Sequence, residues 1–273
     1  MGVINASPNS FYNPIDDVDA ALKQAESMVL SGASIIDVGG EATNPNVHIE
    51  RDGPSIQQEM DRVTPVIEAI KKHYDVLVSV DTSQAAVMRA AVEAGADMIN
   101  DQRALREENA LETAAALSVP VCLMHFFNEP RKPGSSSPAS LLQQIKQELS
   151  DAVLRCEQAG IPREKLIIDP GFGQGNYGKN CLENYYLLEK LDAFHTLGLP
   201  ILVGWSRKSM IGDVLNAPAE GRLYGSIAAA VIAAMKGAAV IRVHDVKATV
   251  DAVKVFQAMR RCESLDCIVA GSA

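Results

Sequence analysis

The stretch Leu166–Gly173 places a carboxylate at the end of a run that is too apolar to lie in water. Asp169 follows three apolar residues and precedes a Pro-Gly pair, which is typical of a turn after a buried strand. Because side chains alternate between the two faces of a strand, Asp169 shares a face with Ile167. A buried carboxylate without a partner is costly, so the pattern predicts either a ligand or a cap that accepts backbone amides.

Polar residues at the ends of other apolar runs and in the loops after them extend this pattern. With Asp169 the set is Asn5, Asp81, Asn100, Lys208, Arg242 and His244. The aspartates and the asparagine at 100 suit the edge of a heterocycle that carries adjacent N–H donors. The cationic residues suit a phosphate. Each residue alone also fits a structural role, such as a helix cap or a turn, but the set predicts a ligand with a polar ring and a phosphate. His125, in a similar position, fits simple packing beneath a loop.

Short apolar runs alternate with stretches of helical periodicity along the whole chain. About eight of each occur, and no shift in composition marks a second domain. This alternation predicts a single-domain (β/α)8 TIM barrel over residues 1–273. A doubly wound open sheet is disfavoured because no Gly-x-Gly-x-x-Gly turn follows the first strand. Barrel active sites lie at the carboxyl ends of the strands, where the polar residues occur here.

Composition excludes several other classes of protein. The chain has 273 residues, 47% of them hydrophobic, and it shows neither a long apolar span nor a signal peptide, so we expect a cytoplasmic protein without a membrane partner. Five scattered cysteines without a Cys-x-x-Cys pair argue against disulfides and a zinc site. A net charge of −9 argues against a nucleic-acid surface, so an anionic ligand needs a local basic pocket.

Several motifs together resemble those of the dihydropteroate synthase family, over nearly the whole chain. They span residues 2–11, 36–43, 79–82, 99–101, 168–173, 206–209 and 242–245. The resemblance implies a transferase of folate biosynthesis that binds two small substrates, dihydropterin pyrophosphate and 4-aminobenzoate. In that reaction 4-aminobenzoate displaces pyrophosphate from the methylene carbon of the dihydropterin and gives dihydropteroate.

The resemblance also implies roles for individual residues. The pterin ring is expected on Asp81, Asn100, Asp169 and Lys208. Pyrophosphate is expected on Asn5, Arg242 and His244, with Mg²⁺ near Asn5; these residues and Lys208 form the expected catalytic set. The amine side is expected to include Thr43, Pro45, Lys208 and Ser209, and the binding set also includes Gly173 and Gln174. A homodimer through the late helices is implied as well, although the small residues 228–234 also fit close packing on the strands.

The loops on the amine side depart from the family pattern. Asn9 and Asn13 replace acidic residues of the first loop, and Asn44 replaces an arginine of the second. Gln174 stands where an aromatic residue is usual, and Gly175–Tyr177 resembles an insertion. These changes predict weak binding of 4-aminobenzoate and of sulfonamides, unless Tyr177 takes the place of the missing aromatic. The alternative function is a pterin-binding paralogue with weak or no synthase activity. A corrinoid methyltransferase is disfavoured because no cobalamin module accompanies the barrel.

Overall fold

A computed structural model describes residues 1–7, 17–41, 53–127 and 129–270, with side chains described up to residue 262. The described chain contains eight strands: β1 Gly2–Asn5, β2 Ile35–Gly39, β3 Leu77–Asp81, β4 Met98–Asp101, β5 Val121–Met124, β6 Leu166–Asp169, β7 Leu202–Val203 and β8 Val240–Ile241. Its α-helices are α1 Val18–Leu30, α2 Ile56–His73, α3 Ala85–Glu93, α4 Ala110–Leu117, α5 Pro138–Gln158, α6 Cys181–Glu189, α7 Ser209–Leu215, α8 Leu223–Met235 and α9 Val246–Ala270. Among these residues, none of the helices is long and apolar enough to cross a membrane.

The strands form a closed parallel barrel. β1 to β6 pair in chain order, and β7 pairs with β8. Isolated bridges join Gly2 to Val243 and Ile168 to Ile201, so the two groups of strands meet at both edges. The predicted (β/α)8 barrel is therefore confirmed. β7 and β8 are shorter than the four-residue runs in the sequence, but the bond from the Arg242 amide to the Val203 carbonyl, 2.9 Å long, continues their ladder.

Side-chain caps define where several helices begin. Ser55 and Gln58 form a reciprocal capping box at the start of α2, with bonds of 2.9 and 3.2 Å. Asn180 and Glu183 form another at the start of α6, with bonds of 2.8 and 2.9 Å. Glu183 also accepts from Arg131 at 2.8 Å, which ties the loop after β5 to this helix. The caps thus fix the loops at the carboxyl end of the barrel as well as the helices.

The core is divided by the alternation of the strands. Outward residues such as Ile36, Val80 and Ile168 pack with the helices in the main apolar cluster. Inside the barrel a smaller cluster contains Met98 and Cys122 with partly buried neighbours. Towards the carboxyl ends of the strands, buried polar residues replace the apolar ones. The sequence therefore builds an apolar floor beneath a polar mouth.

Candidate active site

One arginine and two carboxylates lie at the centre of the barrel mouth. Arg242, just after β8, donates from Nε to Asp37 Oδ2 and from a terminal nitrogen to Asp81 Oδ2, each at 2.6 Å. Asp37 is completely buried and Asp81 almost so. Asp81, expected to hold the ring, is therefore in direct contact with Arg242, expected to hold the phosphate. The two expected groups of residues do not form separate sites.

Two amide side chains complete this cluster. Asn100 Nδ2 donates to Asp37 Oδ2 at 3.2 Å. Gln102 Nε2 donates to both oxygens of Asp81, at 2.8 and 3.0 Å. We call Asp37, Asp81, Asn100, Gln102 and Arg242 the acceptor network. Two of its members, Asp37 and Gln102, were not predicted from the sequence. The charge of Asp37 inside an apolar run could have indicated a functional residue. Gln102 lies in a turn after β4, and no sequence pattern indicated its role.

Burial and neighbouring charges set the ionisation of the network. Burial raises the pKa of Asp81 to about 7, and the charge of Arg242 opposes this rise. Burial also opposes the charge of Arg242, but Asp37 and Asp81 together raise its pKa above the ordinary value. Arg242 therefore remains a guanidinium, and two buried carboxyl groups share its single positive charge.

Asp169 and Lys208 lie near each other at the mouth, each bonded to the backbone of the loop after β6. Asp169 is buried at the end of β6, and its Oδ1 accepts from the Gly171 amide at 2.7 Å. The Lys208 ammonium donates to the Phe172 carbonyl. Burial raises the pKa of Asp169 and lowers that of Lys208 to about 8, and each group opposes the shift of the other. The pair thus presents one acceptor and one donor beside the acceptor network.

His244 is held by a serine of the loop after β7. Ser206 Oγ accepts from the His244 amide at 3.1 Å and lies 3.0 Å from its Nδ1. Burial, then the charge of Arg242, lowers the pKa of His244 to about 3, so the imidazole is neutral near pH 7. Asp245, the next residue, accepts two bonds of 2.8 Å from Arg207. These contacts fix the chain after β8 and with it the orientation of the histidine.

The structure describes only some of the residues expected on the amine side and near Mg²⁺. Thr43 and Pro45 lie outside the described residues, as do Asn9, Asn13 and Asn44. Asn5 is half-buried at the end of β1, and Ser209 begins α7. Gln174 points outward and donates to Asp213 at 2.8 Å, in exposed surroundings.

Tyr177 is buried where an aromatic residue could serve the amine side. Lys208 Nζ lies 4.9 Å from the centre of its ring, and Phe126 packs against it at 5.8 Å. A Cβ atom at Gly173 would lie 2.6 Å from the same ring, so glycine is needed there for close packing. The geometry supports the alternative in which Tyr177 takes the place of the missing aromatic.

A buried lysine, also missed from the sequence, braces the loop after β6. Lys179 Nζ donates to the Gly171 carbonyl at 2.8 Å and lies 3.5 Å from His125 Nδ1. His125 Nε2 lies 3.0 Å from Glu148. Burial lowers the pKa of Lys179 to about 7 and that of His125 to about 4. The expectation that His125 packs beneath a loop agrees with this arrangement.

Comparison with known proteins identifies close relatives. Residues 1–244 match the family of pterin binding enzymes. The chain is 48% identical to the dihydropteroate synthase of Escherichia coli strain K12 over 265 residues, which cover 94% of this chain and 90% of that protein. A dihydropteroate synthase from Coxiella burnetii, solved in complex with pteroic acid, has 59% identity and a TM-score of 0.91 over 95% of this chain and 92% of its own. The Yersinia pestis enzyme, solved with a sulfonamide, has 46% identity and a TM-score of 0.89 over 96% and 93%.

Proposed function

The chain belongs to the dihydropteroate synthase family of pterin-binding enzymes, and from this we propose how its residues carry out the synthase reaction. The reaction is the transfer of a dihydropterin methylene group from pyrophosphate to the amine of 4-aminobenzoate. The observation that carries the assignment of residues is the group of buried acceptors at the strand ends. Asp81, Asn100 and Asp169 lie there among apolar strands, as recognition of a ring edge rich in N–H donors requires.

The acceptors also serve the chemical step. When the bond between the methylene carbon and the pyrophosphate oxygen breaks, its electron pair leaves with pyrophosphate and the pterin methylene becomes cationic. Carboxylates of Asp81 and Asp169 stabilise that positive charge in a site shielded from water. The amine nitrogen then forms a bond to the carbon with its lone pair, and its proton passes to the departing pyrophosphate. Stabilisation of charge, more than proton transfer, is the task of these residues.

Cationic and neutral donors receive the leaving group. Arg242 spans the mouth of the barrel, and Lys208 lies near it. His244 is neutral near pH 7. In the tautomer in which the Ser206 hydroxyl donates to Nδ1, the imidazole proton is on Nε2, and we propose that it donates to a phosphate oxygen. Together they offset the growing negative charge on pyrophosphate.

A Mg²⁺ ion held by Asn5 fits this site as a companion of the substrate. Among the described residues no group of three or more His, Cys, Asp or Glu side chains could hold a metal ion. Mg²⁺ does not need such a cage, since it commonly keeps several waters and binds one or two protein oxygens together with substrate phosphates. The amide oxygen of Asn5 suits that role. When bound, the ion would neutralise charge on the leaving pyrophosphate.

The amine side is proposed to use Tyr177 and Ser209. Tyr177 supplies a buried aromatic surface beside Lys208, and Ser209 supplies a hydroxyl at the start of α7. The proposal places the ring of 4-aminobenzoate, or of a sulfonamide, against Tyr177 instead of residue 174. Sulfonamide sensitivity is then retained despite the changed loop.

A homodimer is proposed through α7, α8 and α9. Large apolar side chains are exposed on these helices: Val214, Leu215, Tyr224, Ile232, Met235, Val255 and Met259. The residues Ala229, Ala230 and Ala233 are buried against the barrel, so the apolar character of the 228–234 run is partly explained without a partner. Sedimentation at micromolar concentration should give a dimer, and a single monomeric species would reject it.

A turnover assay tests the proposed function. The chain is incubated with dihydropterin pyrophosphate, 4-aminobenzoate and Mg²⁺, and both dihydropteroate and pyrophosphate are measured. We expect equal amounts of the two products, and much slower formation of both by Asp169→Ala at the same substrate concentrations. A chain that binds the pterin but forms no dihydropteroate would be the non-catalytic paralogue instead.

A further inference from the structure

Gln102 is hydrogen-bonded to Asp81, the carboxylate that the proposed function assigns to the pterin ring. Its Nε2 lies 2.8 Å from Asp81 Oδ1 and 3.0 Å from Oδ2, so one amide group spans both oxygens. Arg242 adds a third donor to Asp81, at 2.6 Å. The carboxylate is thus already well supplied with donors from the protein itself.

A ring N–H group and the Gln102 amide are donors of the same kind. A carboxylate accepts about four hydrogen bonds, in defined directions around its plane. An N–H edge that approaches Asp81 from the mouth of the barrel therefore competes with an amide that already bonds to both oxygens. Arg242 is less easily displaced, because it also holds Asp37.

Tyr177 fixes the orientation of the Gln102 amide. Its hydroxyl donates to Gln102 Oε1 at 3.3 Å, while the amide nitrogen faces the acceptor-only carboxylate. Lys208 and Phe126 hold the tyrosine ring in place. The loop after β6 thereby keeps Gln102 turned towards Asp81.

We propose that Gln102 is a positioning residue that holds the Asp81 carboxylate in the pterin-free enzyme and yields it to the pterin ring on binding. The proposal rests on the proposed function and adds to it a residue that sets pterin affinity. In the pterin-free enzyme, Gln102 orients the Asp81 carboxylate and supplies it with hydrogen bonds. The pterin must displace Gln102, so it binds more weakly than it would without this residue. When Gln102 turns away from Asp81, its hydrogen bond to Tyr177 is also lost. The ring side and the amine side are therefore linked through one amide.

Titration calorimetry with 6-hydroxymethylpterin, which carries no phosphate, tests the proposal. Gln102→Leu removes the amide at nearly constant volume, and we expect it to bind the pterin about three- to tenfold more tightly than the native chain. Titrations at about pH 7.5, between the Asp81 pKa of about 7 and the Lys208 pKa of about 8, keep most of Asp81 ionised and most of Lys208 charged. A merely structural role for Gln102 predicts unchanged or weaker binding, so tightening is diagnostic.

Two further variants sharpen the result. Tyr177→Phe keeps the ring but removes the hydroxyl, and it should tighten binding by a smaller factor that disappears when Gln102→Leu is also present. Gln147→Leu breaks a similar amide–carboxylate bond, 2.9 Å to Asp151 on the exposed face of α5, and should change nothing.

The outcomes separate the two claims. If the native chain does not bind the pterin, the proposed function fails. If the native chain binds and Gln102→Leu binds equally or more weakly, only the role of Gln102 is overturned. A urea midpoint within the native range confirms that Gln102→Leu folds, and Gln102→Ala replaces it if it does not.

Discussion

The ring side and the amine side of this active site are built in different ways. The three acceptors of the network, Asp37, Asp81 and Asn100, are buried in β2, β3 and β4, and Arg242 joins the two carboxylates. The amine side depends on loops, and the aromatic residue proposed for it, Tyr177, comes from a short 3-10 helix in the segment that resembles an insertion. Strand ends are fixed by the closed barrel, whereas loops can change length and composition without disturbing it. The chain therefore matches the family pattern on the ring side and departs from it in the loops of the amine side.

The largest expected effect comes from removing the cation that joins the acceptor network. Arg242→Ala leaves Asp37 and Asp81 buried without their shared partner, which should lower the free energy of unfolding by about 3–5 kcal/mol. Urea denaturation measures the change. Arg163→Ala is the control, because its 2.9 Å pair with Glu157 is exposed and should contribute less than about 1 kcal/mol. Equal effects of the two variants would show that the network is not held together by Arg242.

The next effect concerns pterin binding by Asp169. Asp169→Ala removes a buried acceptor, and it should weaken 6-hydroxymethylpterin binding by about 2–3 kcal/mol or more. Calorimetry on the variant, with the exposed Asp192→Ala as control, provides the measurement. Unchanged affinity in Asp169→Ala would remove this residue from the ring side.

Pterin affinity should also depend on pH, with a rising limb and a falling limb that come from two residues of the ring side. Affinity should rise as Asp81 ionises, near its pKa of about 7, because only the carboxylate accepts two N–H groups. It should fall as pH passes the Lys208 pKa of about 8, because the neutral amine loses its charge and one donor. Asp81→Asn should abolish the first limb and Lys208→Arg the second. Persistence of a limb in its own variant would assign that limb to another group.

The smallest expected effect is on the amine side. If Tyr177 serves as its aromatic residue, restoring the usual loop residues with Asn44→Arg and Gln174→Phe should change the Michaelis constant for 4-aminobenzoate by less than about threefold. Steady-state kinetics and sulfonamide inhibition of the double variant provide the test. A gain of about tenfold or more would mean that the natural loops weaken amine binding and that Tyr177 does not compensate.

The same contrast explains how much could be predicted from the sequence. The barrel and the strand-end residues Asp81, Asn100 and Asp169 were predictable, because alternation fixes both the strand and the face of each side chain. The partners of Asp81 and Asn100 were not predictable. Arg242, which joins Asp81 to Asp37, follows Asp37 by 205 positions along the chain, and no local pattern links them. Gln102 and Lys179 lie in turns and loops, where side-chain direction depends on tertiary contacts.

One experiment tests most directly the claim that the two sides are built from different elements, with Tyr177 on the amine side. The Michaelis constants for both substrates are measured in Tyr177→Ala, with Mg²⁺ present. We predict that the constant for 4-aminobenzoate rises by about tenfold, because a buried aromatic contact is lost, while binding of dihydropterin pyrophosphate is not weakened. An unchanged constant for 4-aminobenzoate, or an equal rise for both substrates, would contradict the account.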